Sequence, residues 1–423
     1  MDMGFEQAGF EVIWTNEFDE VFAKLHAAGV TSWRKSKGNG IKAEIFNTKS
    51  IIEVKSKEII SEAFPNGKPE HFGMIGGPPC QDFSMNGSLK GFSGERGKLT
   101  IVYFDKILEL KPTFFVMENV TGLTKRKDTK EFLQTLLKRV EKEYYVDHEK
   151  LNSLNYGVPQ HRERVFFVGI RKDCISKKAI EQASFGKWFP FPVNEKYHDS
   201  ATKYNWGKQV PFGNKLKKPE DVPFELCVES CLVPQREINS IPNANEFFNL
   251  YVDEKTLQAI EEGETNRPSF KRLHRFKYSP TTCYGNNEVH LHPYLHRRLS
   301  VREALRIQGV PDEYVLPIEL PMTKKFKMIG NGVPVPLAKA VADKLKDFLL
   351  TNEILWIPQH FASTLPEPHK PTRRLKLWQR AWKANARKIV LKNFLPLQKI
   401  DNATHNPRQI NKNENEKSHL NIA

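Results

Sequence analysis

The sequence predicts an α/β protein in which an open sheet flanked by helices carries a smaller, irregular second domain. Three observations predict it. Over the first 170 residues short apolar runs at 11–14, 72–75, 113–117 and 164–170 alternate with segments of helical period, as in a parallel sheet covered by helices. Between about 172 and 296 neither period persists, and prolines, asparagines and aromatics are scattered. From 297 to 350 the helical pattern returns. The expected organisation is 1–171 joined by 297–350 as one domain, 172–296 as the second, and 351–423 as a tail.

Each element has a local reason. In 131–140 Phe132, Leu136, Leu137 and Val140 share one helical face. In 300–308 Ser300 can cap the helix and Glu303, three residues on, completes a capping box. A further helix follows Pro334, with Leu337, Val341, Leu345 and Phe348 on one face. Beyond Thr351 the tail holds 13 Lys or Arg against 5 Asp or Glu. From Asn402 onward it is rich in Asn, Lys and Glu and poor in apolar residues, so disorder is expected there.

The 65 basic and 50 acidic residues give a net charge of +15, which favours a polyanionic partner without separating DNA from RNA or an acidic membrane. Five irregularly spaced cysteines argue against a disulfide framework and for a reducing compartment. Cys227, Cys231, His290, His292 and His296 lack the spacing of a four-ligand zinc site, so no metal is expected. No apolar run is long enough for a bilayer, and residues 1–10 lack the layout of a signal peptide; a soluble, intracellular protein is expected.

The most informative segment is Met74-Ile75-Gly76-Gly77-Pro78-Pro79-Cys80-Gln81, a short strand running into a rigid turn that delivers one cysteine. An isolated cysteine is more often buried and inert. Here the Gly-Pro-Pro turn holds it at the carboxyl end of a strand, where ligands collect in an open α/β sheet. Two more strands end on acids: 112–117 runs into Glu118-Asn119-Val120, and Trp14-Thr15-Asn16 into Glu17.

These residues carry a resemblance to the DNA cytosine-C5 methyltransferase family. Its ordered motifs match Gly77-Pro78-Pro79-Cys80-Gln81, Glu118-Asn119-Val120, Gln160-His161-Arg162-Glu163-Arg164, Arg297-Arg298-Leu299-Ser300-Val301-Arg302-Glu303 and Gly330-Asn331-Gly332-Val333-Pro334. Five motifs in order, spread over about residues 4–350, are highly specific. The fold implied is a Rossmann-like S-adenosylmethionine-dependent methyltransferase sheet with a smaller target-recognition domain.

The resemblance assigns a nucleophilic thiolate to Cys80, which would add to cytosine C6 and make C5 enamine-like. A free thiol has a pKa of about 8.5, so the site must favour the anion. Glu118 would supply a hydrogen bond or proton to ring N3. Arg162 and Arg164 complete the catalytic set, with Arg164 the better candidate for cytosine O2; for Arg162 an ion pair or a phosphate clamp stays equally open. Reaching both faces of the ring requires the base to be flipped out of the duplex. Gln81 and Ser84, in a glycine-containing stretch that looks like a mobile loop, are candidate DNA contacts, as are Arg272, Arg275, Thr281 and Thr282 in the second domain.

For the cofactor, S-adenosyl-L-methionine, the resemblance implies Glu17 at the ribose, Phe18 against the adenine, and Ser50, Ile51, Pro79, Leu99 and Asn331 around them. Ser50 stands where the family has an acid, and a hydroxyl still accepts a hydrogen bond. The family's Phe-x-Gly-x-Gly-Gly loop and first strand have no counterpart before Gly4-Phe5, so Met1 reads as an internal methionine taken for a start and the donor half as truncated. The resemblance further implies a prokaryotic restriction-modification setting, cytoplasmic and at the nucleoid, with double-stranded DNA as partner, a restriction endonuclease acting separately, and a monomer. Two other readings stay open: methylation of tRNA, and an inactive DNA-binding remnant.

Overall fold

The computed structural model describes residues 1–38, 44–78, 95–125, 127–176, 180, 187–285, 288–352 and 354. The first element is a short helix, α1 (Asp2–Gln7), after which strand and helix alternate: β1 (Trp14–Asn16), α2 (Glu20–Ser36), β2 (Ile45–Asn47), α3 (Ser56–Ala63), β3 (Gly73–Gly76), α4 (Glu95–Leu110) and β4 (Phe114–Asn119). Then come α5 (Gly122–Lys125), α6 (Lys127–Val140), β5 (Tyr144–Asn152) and β6 (Glu163–Arg171). Downstream the helices are α7 (Ser200–Lys203), α8 (Glu254–Gln258), α9 (Val301–Ile307), α10 (Met322–Asn331) and α11 (Val335–Thr351). Met1–Trp356 form one compact unit, and every described residue belongs to it.

The expected parallel sheet is mixed. β3 runs parallel to β4, with Gly73 opposite Phe114 and Gly76 opposite Met117, but β6 lies antiparallel between β4 and β5, giving the order β3-β4-β6-β5. β5 reaches β6 through residues 153–162 alone, too short a connection for a parallel crossover, so β6 must run back along its predecessor. β1 and β2 pair with each other in a separate parallel ribbon. Among the described residues, β1 and β3 are each paired on one edge only, and both are partly exposed where β4 is buried throughout.

Alternation along β4 divides the four-stranded sheet into two packed faces. Phe114 and Val116, with Phe166, Val168 and Ile170 of β6, meet Phe5 of α1, Ala8 just after it, and Leu337, Val341, Leu345 and Phe348 of α11. Phe115 and Met117, with Val165 and Phe167, meet Phe104 and Ile107 of α4 and Leu133, Leu136 and Val140 of α6. Each such fully buried side chain contributes about 2 kcal/mol by removal from water, enough to fix which residue of β4 faces which layer. A third core joins α2, α9 and α10 to Val228, Leu232, Leu273 and Tyr284 of the irregular segment.

The expected capping box forms: Ser300 accepts from the Glu303 amide, and the Glu303 carboxylate accepts from the Ser300 amide. The irregular segment carries few regular elements, and its carbonyls find donors elsewhere. Arg272, fully buried, donates to Ile260 O (2.9 Å), Leu257 O (2.8 Å) and His292 O (2.8 Å), and burial holds its pKa down to about 10.

In the same segment His290 and His292 are 5% and 1% exposed, and burial pushes both well below the ordinary imidazole value, to about 3. Nδ1 of His292 accepts from the amides of Tyr294 (3.3 Å) and Leu295 (3.2 Å). Each is neutral when folded and takes up its proton only on unfolding. Their contribution is therefore fully present above about pH 6.5 and is lost as the pH falls from about 6.5 toward 3. Urea unfolding between pH 7.5 and 5 should show stability falling with pH, and His292→Asn should flatten that slope by up to about 1.4 kcal/mol per pH unit; an unchanged slope contradicts a buried neutral histidine.

Candidate active site

The carboxyl end of β4 carries Glu118 and Asn119, both buried. Asn119 donates through Nδ2 to Pro78 O (3.1 Å), tying the arm that leaves β3 to the end of β4, and accepts from the Val120 amide through Oδ1 (2.8 Å). Gly77 leaves room for the carboxylate: a Cβ there would lie 3.1 Å from Glu118 Oε2. Cys80, Pro79, Gln81 and Ser84 lie outside the described residues.

Glu118 sits opposite Phe166 in the β4–β6 register, which puts Arg164 diagonally across from it on the same face. Arg164 Nε meets Glu118 Oε1 at 2.8 Å, both side chains largely buried, and Arg164 Nη1 donates to Glu163 O (2.7 Å). The pair presents a fixed carboxylate and a fixed guanidinium beside the arm through Gly77 and Pro78. One acceptor or donor on either side of a flat ring is what such a pair can address.

Arg162, two residues earlier, is placed otherwise. It is 1% exposed, donates through Nη2 to Gly330 O (2.8 Å) and through Nη1 to Thr282 O (3.4 Å), and is pushed down to about 9 by burial and by Arg164 beside it. In the structure its two Nη atoms reach main-chain carbonyls in the interior, and its Nε has no hydrogen-bond partner among the described residues. Arg272 likewise gives its donors to carbonyls, and Thr282 lies against Gln160. Both are fully buried in the structure. Arg275 forms a bidentate pair with buried Glu262 (2.9 and 2.7 Å), and Thr281 Oγ1 donates to His161 O (2.9 Å). Sequence shows the positive charge of such residues but not that an irregular backbone needs donors for its carbonyls.

Missing from the sequence reading is the polar knot behind Arg162. The main chain at 279 runs beside 160, with the Ser279 amide donating to Pro159 O (2.8 Å) and the His161 amide to Ser279 O (2.8 Å). Inside that joint Gln160, Thr282 and Gln308 bond in a closed ring: Thr282 Oγ1 to Gln160 Oε1 (3.2 Å), Gln160 Nε2 to Gln308 Oε1 (3.2 Å), and Gln308 Nε2 to Thr282 Oγ1 (3.1 Å). All three are buried, and their surroundings in the sequence, polar around Gln160 and Thr282, carry no signal of it.

On the other side, Glu17 follows β1 and accepts from the Asp19 amide through Oε1 (2.9 Å); burial raises its carboxyl pKa. Phe18 is 70% exposed. Asp19 caps α2 and pairs with Lys324 of α10, which binds the start of α2 to the helix ending in Asn331. Ser50 and Ile51 are half-buried in the turn after β2, Leu99 is half-buried on α4, and Asn331 is exposed.

A mixed sheet with helices packed on both faces, and with Glu118 and Asn119 at the carboxyl end of β4, is the layout of the methyltransferase class. A crystal structure described as a DNA modification methyltransferase encoded within a prophage (E. coli) has this fold, with a TM-score of 0.51 and 22% identity over 82% of this chain and 95% of its own. The chain belongs to the C-5 cytosine-specific DNA methylase family, whose model matches residues 1–347. It is 37% identical over 355 residues to the Type II methyltransferase M.NmeDI of Neisseria meningitidis serogroup C, covering 82% of this chain and 81% of the relative. It is 31% identical over 362 residues to the Type II methyltransferase M.FnuDI of Fusobacterium nucleatum, covering 84% and 93%.

At the Arg162 clamp, a Cβ on Gly330 would lie 3.0 Å from the Tyr284 amide nitrogen and 3.1 Å from Thr282 O, both backbone atoms. Gly330→Ala should cost about 1–3 kcal/mol of stability in urea unfolding, as overpacking does; a neutral result would show that the 282–284 backbone yields freely.

Proposed function

We propose that this DNA cytosine-C5 methyltransferase works by covalent addition of Cys80 to an extrahelical cytosine, with Glu118 and Arg164 holding the base. The observation that carries the proposal is the Glu118–Arg164 contact at 2.8 Å beside the arm that leads into Cys80. The Cys80 thiolate attacks C6, and the electron pair of the C5–C6 bond is left conjugated through the ring toward N3 and O2. Glu118 meets N3 by a hydrogen bond or proton, and Arg164 donates to O2. C5, now nucleophilic, takes the methyl group. Loss of the C5 proton to a base, water or hydroxide, restores the double bond as Cys80 leaves.

The donor-side residues fit an adenosyl group. Glu17 keeps Oε2 for ribose hydroxyls, exposed Phe18 offers a stacking face, and Ser50, Ile51, Pro79, Leu99 and Asn331 would complete the S-adenosylmethionine site. When bound, S-adenosylmethionine supplies an electrophilic methyl group. Residues 172–296 serve as the target-recognition domain on duplex DNA. The Type II names of the relatives support a restriction-modification setting; placement in the cytoplasm and at the nucleoid, a cognate endonuclease as a separate protein and a monomeric state are proposed from the family resemblance. No helix among the described residues is long and apolar enough to cross a membrane.

Full-length protein incubated with plasmid DNA and methyl-labelled S-adenosylmethionine should place label on C5 of cytosine, and tRNA should compete poorly. Cys80→Ser should abolish incorporation. Full activity in that variant, or label absent from DNA cytosine, defeats the proposal. Glu118→Gln should lower kcat by about 10²–10⁴-fold while the DNA Kd changes little; an unaltered kcat removes Glu118 from the mechanism.

A further inference from the structure

The segment Gly330-Asn331-Gly332-Val333-Pro334, which ends α10 and turns into α11, is pinned at both ends by one residue outside it. Gln308, the C-cap of α9 and 2% exposed, donates through Nε2 to Ile329 O (2.6 Å), just before the turn. Its own carbonyl accepts from the Val335 amide (3.0 Å), just after it. Gly330 O in between is taken by Arg162 Nη2 (2.8 Å). Arg162 is separated only by Glu163 from Arg164, the partner of Glu118. The same Gln308 amide closes the ring with Gln160 and Thr282, so its two Nε2 protons and its Oε1 are all engaged. Gln160 in turn leads through His161 into Arg162.

Thus one buried amide touches the strand-like segment that carries the base-holding arginine, the end of the irregular segment, and the turn that presents exposed Asn331. We infer that Gln308 is a positioning residue that sets Asn331, on the methyl-donor side, in register with Glu118 and Arg164 on the base side. This rests on the proposed function above. The physical reason is satisfaction: every polar atom of the ring is buried, so each has one set of partners and no water to substitute for them. A turn held through its two flanking main-chain groups cannot shift without breaking a bond to Gln308, whose side chain the closed ring in turn holds in place.

The test replaces the side chain and keeps the backbone bond to Val335. Gln308→Met has a similar volume but none of the three side-chain bonds. S-adenosylmethionine binding by calorimetry and methyl transfer to plasmid DNA are measured for wild type, Gln308→Met and Gln308→Glu, with thermal unfolding alongside. The expected result is a folded Gln308→Met protein whose Kd and KM for S-adenosylmethionine rise about tenfold or more, the loss of roughly one strong buried hydrogen bond. Gln308→Glu should recover toward wild type as the pH is lowered, because only a protonated carboxyl can again donate to Ile329 O. A merely structural role would lower the melting temperature and the active fraction and leave Kd and KM of the folded protein unchanged, which overturns the inference. If Gln308→Met does not fold, Gln308→Glu carries the test alone: a Kd equal to wild type at high pH overturns it. Wild type that neither binds S-adenosylmethionine nor labels DNA defeats the functional reading itself, and the positioning role with it, whereas an active wild type with an indifferent Gln308 defeats the positioning role only.

Discussion

A guanidinium that water cannot reach must find its acceptors in the protein, and Arg162 finds them on chain segments more than a hundred residues away. Burial depresses its pKa to about 9, still well above neutrality, so the charge is kept and the carbonyls of Gly330 and Thr282 are held to it. From that requirement much of the molecule follows. The end of β5 and the start of β6 are fixed against the 279–282 segment, α9 and α10 meet at the same point through Gln308, and Arg164 emerges next door onto Glu118. The irregular segment is thereby fastened to the sheet by polar bonds as well as by the apolar core it shares with α2, α9 and α10.

The two halves of the site differ in how they are built. On the base side β4 is buried along its whole length, Glu118 is paired, and Asn119 ties the neighbouring arm in place. Such a site is preorganised in the sense that matters for catalysis: its dipoles need no rearrangement when charge moves in the ring. On the donor side β1 and β2 stand as a ribbon of their own, Phe18 is 70% exposed, and the Asp19–Lys324 ion pair adds to the apolar core that joins α2 to α10.

Much of this was legible in the sequence where one physical cause dominates. The apolar face of α11, the capping box at Ser300 and the strands β3, β4 and β6 follow from periodicity and local hydrogen-bond chemistry, with boundaries displaced by a residue or two. β5 escaped because its edge position tolerates charged residues such as Glu149 and Lys150, which hide the period of two. α10 escaped because only Phe326 and Ile329 mark its buried apolar face, the third buried position being Lys325, paired with Glu246. Direction of pairing was missed at β6, since the pattern of a strand does not say which way it runs. At the site, Glu118 and Arg164 are legible as motif residues, but the main-chain carbonyls that Arg162 and Arg272 meet in the interior are not, because sequence reports a charge and not the carbonyls around it.

The claim on which the account turns is that Cys80 forms a bond to C6 of cytosine, and it can be measured without knowing the recognition sequence. Duplex DNA made with 5-fluorocytosine in place of cytosine offers the same ring, but after methyl transfer C5 holds no proton to lose, so the thiol cannot leave. With S-adenosylmethionine present, the account predicts a protein–DNA adduct that survives denaturing electrophoresis and maps by peptide mass to Cys80. An absent adduct, or one that persists in Cys80→Ser, would contradict it.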